Sequence, residues 1–147
     1  MRIGLNFIVF FALSGFALMG CGGGAPGEGF QICGPDAKLP TDPFRLDAAK
    51  IVGDELHVDV GYGGGCKAHE FTLCWDGSFA ESHPVQARLS LHHEANGDGC
   101  DAYISETRSF DLSELRSAYV DGYQTEEGAI SITLTGGEPA GTFLYEF

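Results

Sequence analysis

From Phe44 onward the chain alternates apolar and polar residues in short runs. Phe44, Leu46 and Ala48 share one parity and Arg45, Asp47 and Ala49 the other. After a Val52-Gly53-Asp54 turn, Leu56, Val58, Val60 and Tyr62 oppose His57, Asp59 and Gly61. A period of two belongs to strands, so this stretch is a predicted hairpin. Phe71, Leu73 and Trp75 mark one face of a third strand, with Thr72, Cys74 and Asp76 on the other and Asp76-Gly77 as its end. The longest alternation follows, with Val85, Ala87, Leu89, Leu91 and His93 on one side and Gln86, Arg88, Ser90, His92 and Glu94 on the other. Asn96-Gly97-Asp98-Gly99 is a hairpin-type turn signal leading into a strand from Asp101 to about Phe110, with either Ala102 and Ile104 or Tyr103 inward. Ile130, Ile132 and Leu134, then Gly136-Gly137-Glu138-Pro139, then Phe143, Tyr145 and Phe147 predict a closing hairpin.

One segment has a helical period. Leu112, Leu115 and Tyr119 fall at spacings of three and four, with Asp111 placed as N-cap and Glu114 three residues on. Upstream, Phe30-Gln31-Ile32-Cys33 carries too short a pattern for a helix or a central strand, and Cys33 is expected to pin this arm to the domain. About seven short strands, one short helix and no strand-helix alternation predict an all-β, antiparallel, immunoglobulin-like sandwich. A small barrel is the alternative, since strand count does not reveal closure.

The first 20 of the 147 residues change the picture of where this domain works. Arg2 precedes an apolar run from Phe7 to Phe16, the pattern of a secretory signal. A transmembrane anchor is the rival reading, but Asn6, Ser14 and Gly15 interrupt a run that is short against the roughly 20 residues needed to span. Leu18-Met19-Gly20-Cys21 resembles the lipobox of bacterial lipoproteins, which implies that Cys21 is diacylglycerylated and becomes the mature N-terminus. Gly22 after that cysteine is similar to lipoproteins sent to the outer membrane. The expected organisation is a signal at 1–20, a lipid-anchored flexible tether and arm at 21–38, and one sandwich domain at 39–147.

Without Arg2, seven cations face 21 acidic residues, a formal charge of −14. Such a surface repels nucleic acid and anionic headgroups, so the expected contacts are the membrane, through the N-terminal lipid, and an envelope protein partner. With Cys21 acylated, Cys33, Cys66, Cys74 and Cys100 remain, an even set suited to an oxidising compartment. Four cysteines allow three connectivities. Cys66 and Cys100, both at strand boundaries beside glycines, favour one bridge, and Cys33 with Cys74, on the polar face of its strand, the other.

His69 and His93 share the apolar parity of their strands and lie near these cysteines. With Glu70, Asp98 or Asp101 they form a candidate site for zinc or copper. The competing reading is a pair of satisfied histidines at the sandwich rim, which calls for no cofactor; no dense ligand motif argues otherwise. His57 and His92 have polar-face parity and are expected to be exposed. The Asn96–Asp101 run is a poor calcium loop, because its twelfth position is Thr107 rather than a glutamate. Catalytic signatures such as G-x-S-x-G and S-x-x-K are missing, although a hydrolase whose triad is assembled across loops needs none. The Gly63-Gly64-Gly65-Cys66 run with His69 and Phe71, and the later His93, Asp98 and Cys100, resemble small exported bacterial lipoproteins with a GGGC-x-x-H-x-F segment and no assigned activity. The reading is therefore a lipid-anchored structural or interaction module of the bacterial envelope, with a metal-binding lipoprotein and a hydrolase as alternatives.

Overall fold

The computed structural model describes residues 28–34, 36–138 and 140–147. The signal, the lipobox with Cys21 and the start of the tether lie outside the described residues. Eight strands and one helix follow in the order β1 (Glu28–Ile32), β2 (Arg45–Val52), β3 (Glu55–Gly64), β4 (Glu70–Ala80), β5 (Val85–Glu94), β6 (Ala102–Asp111), α1 (Ser113–Tyr123), β7 (Ala129–Thr135) and β8 (Gly141–Glu146). They form a β-sandwich of a five-stranded sheet, β1-β4-β5-β7-β8, and a three-stranded sheet, β2-β3-β6. Leu56, Val58 and Val60 of β3 meet Phe71 and Leu73 of β4, Leu89 and Leu91 of β5 and the isoleucines of β7 in one fully buried core. At the sandwich edges β1 lies against β6, and β2 against β8.

Two pairings are parallel, β1 with β4 and β5 with β7. The second follows from the route between them: after β5 the chain crosses to the other sheet for β6, then returns through α1 and so lays β7 beside β5 in the same direction. Asn96-Gly97-Asp98-Gly99, expected to close a hairpin, is thus a crossing between sheets, because β6 pairs with β3. Turn chemistry fixes a local reversal and leaves the choice of sheet to the core-facing side chains.

Several local expectations change. The arm residues Glu28–Ile32 form a strand, outermost in its sheet, and Cys33 N–H continues the ladder to the Trp75 carbonyl at 2.8 Å. A bulge between Leu46 and Ala48 shifts parity, so that Leu46, Ala49 and Ile51 turn inward and Ala48 outward. Asp76-Gly77 does not end β4. It is a second irregularity in which Asp76 Oδ1 accepts the Ser78 N–H at 2.9 Å and Trp75 Nε1 donates to the Ser78 carbonyl at 3.0 Å. The helix begins one residue later than expected and runs to Tyr123. Asp111 closes β6 and still accepts the Ser113 N–H at 2.8 Å, while Leu112 occupies the cap position. On β6 the inward parity is Ile104, Glu106, Arg108 and Phe110, which buries charge that the alternation did not anticipate.

Candidate functional site

The end of the sandwich where β3 stops and β4 starts gathers the chemistry-bearing residues. Gly63, Gly64 and Gly65 carry the chain out of β3. A side chain at Gly64 would bring its Cβ to 2.5 Å from His69 Nε2 and 3.0 Å from Asp98 Oδ2, so only glycine fits there. Beyond the run, Cys66 is disulfide-bonded to Cys100 with a Cα–Cα distance of 5.9 Å. Cys33 is bonded to Cys74 with Cα atoms 5.5 Å apart. Both are the pairs favoured by the sequence. Two disulfides mark an extracytoplasmic protein.

The hub of this end is Asp98. Its Oδ2 accepts the backbone N–H groups of Gly65, Cys66 and Lys67 at 2.9, 2.8 and 2.9 Å, and its Oδ1 accepts that of Cys100 at 2.9 Å. Its side chain is shielded from solvent. The N–H of Cys100, then those of Cys66 and Lys67 and the His69 ring, hold the carboxyl well below the usual carboxylate range against an opposing cost of burial. Lys67 reaches across to the carbonyls of Asn96 and Gly97 at 2.7 and 2.9 Å, so both sides of the loop pair are tied.

His69 and His93 do converge. Their rings are buried, and His69 Nδ1 lies 2.8 Å from His93 Nε2. His69 Nε2 faces Asp98 Oδ2 at 3.2 Å, and His93 Nδ1 faces the Asp42 carbonyl at 3.3 Å. The chain of contacts thus runs carboxylate, imidazole, imidazole, carbonyl, with an acceptor at each end. The ionised Asp98 requires a proton on His69 Nε2. Two neutral rings then make the central bond from His93 Nε2–H to His69 Nδ1 and leave His93 Nδ1 bare opposite the carbonyl, the longest of the three contacts. Burial, followed by the nearby His69, moves the His93 pKa below its ordinary value, although its contact with the Asp42 backbone pulls the other way.

Aromatic faces enclose the pair. Tyr62 stacks on His69 at 4.4 Å and Phe71 on His93 at 4.5 Å, while Phe44 meets His93 edge-on at 5.8 Å. Tyr62 O–H donates to Glu106, which also accepts from Arg108, and the Arg108 guanidinium lies 5.3 Å from the Phe71 ring centroid. Burial, then the bond to Glu106, raises the Tyr62 pKa. Of the three carboxylates that the sequence offers beside the histidines, it is Asp98 that meets His69. Glu106 and Arg108 are additional members, which interrupt the apolar alternation without a motif to flag them.

No cofactor is indicated by these contacts. His69 offers opposite nitrogens to His93 and Asp98, so the three do not converge on a single point. Cys66, Asp98 and Cys100 do bring ligand-type atoms within 4.8 Å of one another, but both sulfurs are spent in the disulfide and the carboxylate oxygens are engaged by N–H donors. His92 binds locally, with Nε2 2.9 Å from Ser90 Oγ.

A serine-histidine-glutamate row occurs elsewhere, on the outward face of β3 and β6. Ser109 Oγ is 2.8 Å from His57 Nδ1, and His57 Nε2 is 3.3 Å from Glu55 Oε2. The cross-strand neighbours on this face include Asp59 and Asp111. A hydrolase needs donors aimed at a developing oxyanion, and carboxylates on either side of the serine oppose one.

The fold and this site define a disulfide-closed β-sandwich whose buried polar chain fixes the loops at one end. No family model matches the chain, and no curated relative matches it. Solved structures share the fold. A NigD-like immunity protein from Bacteroides caccae superposes with a TM-score of 0.59 at 18% identity, over 82% of this chain and 63% of that one. A toxin-related protein from Parabacteroides distasonis gives 0.53 at 20% identity, over 82% and 61%, and a candidate lipoprotein from Bacteroides fragilis gives 0.50 at 12%, over 82% and 68%. The chain thus spans less than two thirds of the length of the first two. Among the described residues, no helix is long and apolar enough to cross a membrane.

Proposed function

We propose that the protein is an exported lipoprotein of the bacterial envelope, acylated at Cys21, held at the outer membrane and acting as a non-catalytic interaction module. The observation that carries this reading is the Cys33–Cys74 bridge. It fastens the end of β1, the outermost strand, to the neighbouring strand β4, so that a pull on the lipidated end is borne covalently. The descriptions of the Bacteroides neighbours as immunity and lipoprotein proteins are in keeping with it. Intact-mass analysis of the protein extracted from membranes tests the anchor: the expected chain starts at an acylated Cys21. A chain that keeps Met1–Gly20, or has an unmodified Cys21, overturns it.

A second reading makes His69 and His93 ligands for zinc or copper, and their 2.8 Å approach favours it. The central hydrogen bond would have to open to admit the ion. Metal analysis of protein purified without chelator decides. Stoichiometric metal that is lost in the His69→Ala, His93→Ala double variant supports this reading, and metal-free parent protein removes it.

A further inference from the structure

Opposite the Asp98 end, a groove of about 540 Å³ opens between the start of β5, the start of β7, the end of β8 and α1. Its apolar wall is Tyr119, Phe147 and Val85, and its rim carries Glu127 and Glu146, both exposed. The two rings meet edge to face at 5.3 Å. Their positions are set by backbone: Phe147 and Gly128 exchange N–H···O bonds of 2.9 and 3.1 Å. A Cβ on Gly128 would fall 2.4 Å from the Tyr119 ring, so glycine is what lets the ring lie there. This aromatic cluster already accepts one cation, since the Arg116 guanidinium sits 5.1 Å from the centroid of Phe147.

The groove's own lining sets Glu127 and Glu146 against one histidine, His83, and the chain segment beside it is acidic. Between Phe110 and Ala129 the chain carries Asp111, Glu114, Asp121, Glu126 and Glu127 against one base, Arg116. That base is itself engaged with Asp54 at 3.2 Å. Orientation adds a reason for placing a partner here. The chain enters at the other end, where Glu28 pairs with Phe71 at the start of β4, so the eleven residues of β4 separate entry from groove by roughly 30 Å. Aromatic faces beneath a carboxylate rim recognise ammonium and guanidinium groups, and repel nucleic acid and anionic lipid.

We propose that this groove receives lysine or arginine side chains of a cationic polypeptide partner. The proposal rests on the interaction-module reading and names the surface and the chemistry of its partner. The test titrates the mature protein, in neutral detergent at low ionic strength, with a synthetic Arg-Gly repeat peptide. Glu127→Lys combined with Glu146→Lys should weaken binding about tenfold or more, while Glu70→Lys with Asp101→Lys, the same charge change at the entry end, should leave it within about twofold. Tyr119→Leu, which keeps every charge, should also weaken it by several fold. No binding, equal weakening by the two charge reversals, or an unaffected Tyr119→Leu variant overturns the proposal. In-cell crosslinking separates the two ideas. An envelope partner captured through another face while the peptide ignores the groove ends this assignment and spares the module reading. Peptide binding in the groove with no partner crosslinked in cells ends the module reading instead.

Discussion

Replacing Cys66 and Cys100 together by serine separates what the disulfide contributes from what Asp98 contributes at the same end. The bridge closes a loop of 34 residues, and its removal frees the unfolded chain by about 4 kcal/mol on the loop-entropy model. The folded state loses little by comparison, because Asp98 still joins Gly65, Cys66 and Lys67 to Cys100 through backbone N–H bonds. The cost therefore appears as global stability, with the site geometry retained. For a domain of about 120 residues, that loss lowers the thermal midpoint by about 15 °C. Guanidinium denaturation followed through Trp75, the single and buried tryptophan, measures it without ambiguity of probe. The Cys33→Ser, Cys74→Ser variant opens a loop of 41 residues, for which the same model again gives about 4 kcal/mol, so the two losses should match closely. A loss below about 1 kcal/mol for the Cys66 and Cys100 variant, or one several times larger than its counterpart, refutes the reasoning.

Two further predictions concern buried polar contacts. Because His93 has a folded-state pKa below its unfolded value of about 6.5, the unfolded chain binds more protons between the two, and stability should fall as pH drops from about 6.5 toward the folded value. In His93→Gln that acid-side loss should be reduced, and stability-versus-pH curves of parent and variant that stay parallel below pH 6.5 would contradict the assignment. Tyr145 O–H donates to Asp54 Oδ1 at 2.6 Å from a fully buried ring, so Tyr145→Phe should cost about 1.5 kcal/mol by denaturant titration, while a neutral variant would show the bond to be dispensable.

How much was legible in the sequence depends on where each contact comes from. The strands with long uninterrupted alternation, β3 and β5, could be read because one face of each is buried against a single apolar layer. The parity of His69 and His93 also predicted that they could meet. What stayed hidden has causes outside the local pattern. A bulge at Leu46/Ala48 adds a residue and reverses every later side chain of β2 without any residue type that announces it. Glu106 and Arg108 look like solvent positions because their compensation comes from other strands, in Tyr62 and the ring of Phe71. Asp98 looks like a turn residue, and it is one. Its role as a hub depends on N–H groups 31 to 33 positions earlier, which carry no side-chain signature.

These contacts assign different work to the two ends of the sandwich. The histidine pair is enclosed by Tyr62, Phe71 and Phe44, with His93 only 1% exposed, so its rings offer a solute outside almost no surface. Its effect on the surface is indirect: it reaches from Asp98, which holds the Gly65–Lys67 loop, to His93, whose backbone carbonyl accepts the Asp42 N–H at 3.0 Å in the segment that joins the arm to β2. A polar chain in that position ties the segment before β2 to the glycine corner, and a member that loses a hydrogen-bond partner incurs the cost of an unsatisfied buried group. That requirement accounts for Gly64, since any side chain there would displace His69 or Asp98. The acidic, aromatic groove at the other end carries no comparable internal network on its rim. Glu127 and Glu146 are exposed on that rim, which suits the recognition proposed for the groove, whereas the histidine end is closed by its own contacts.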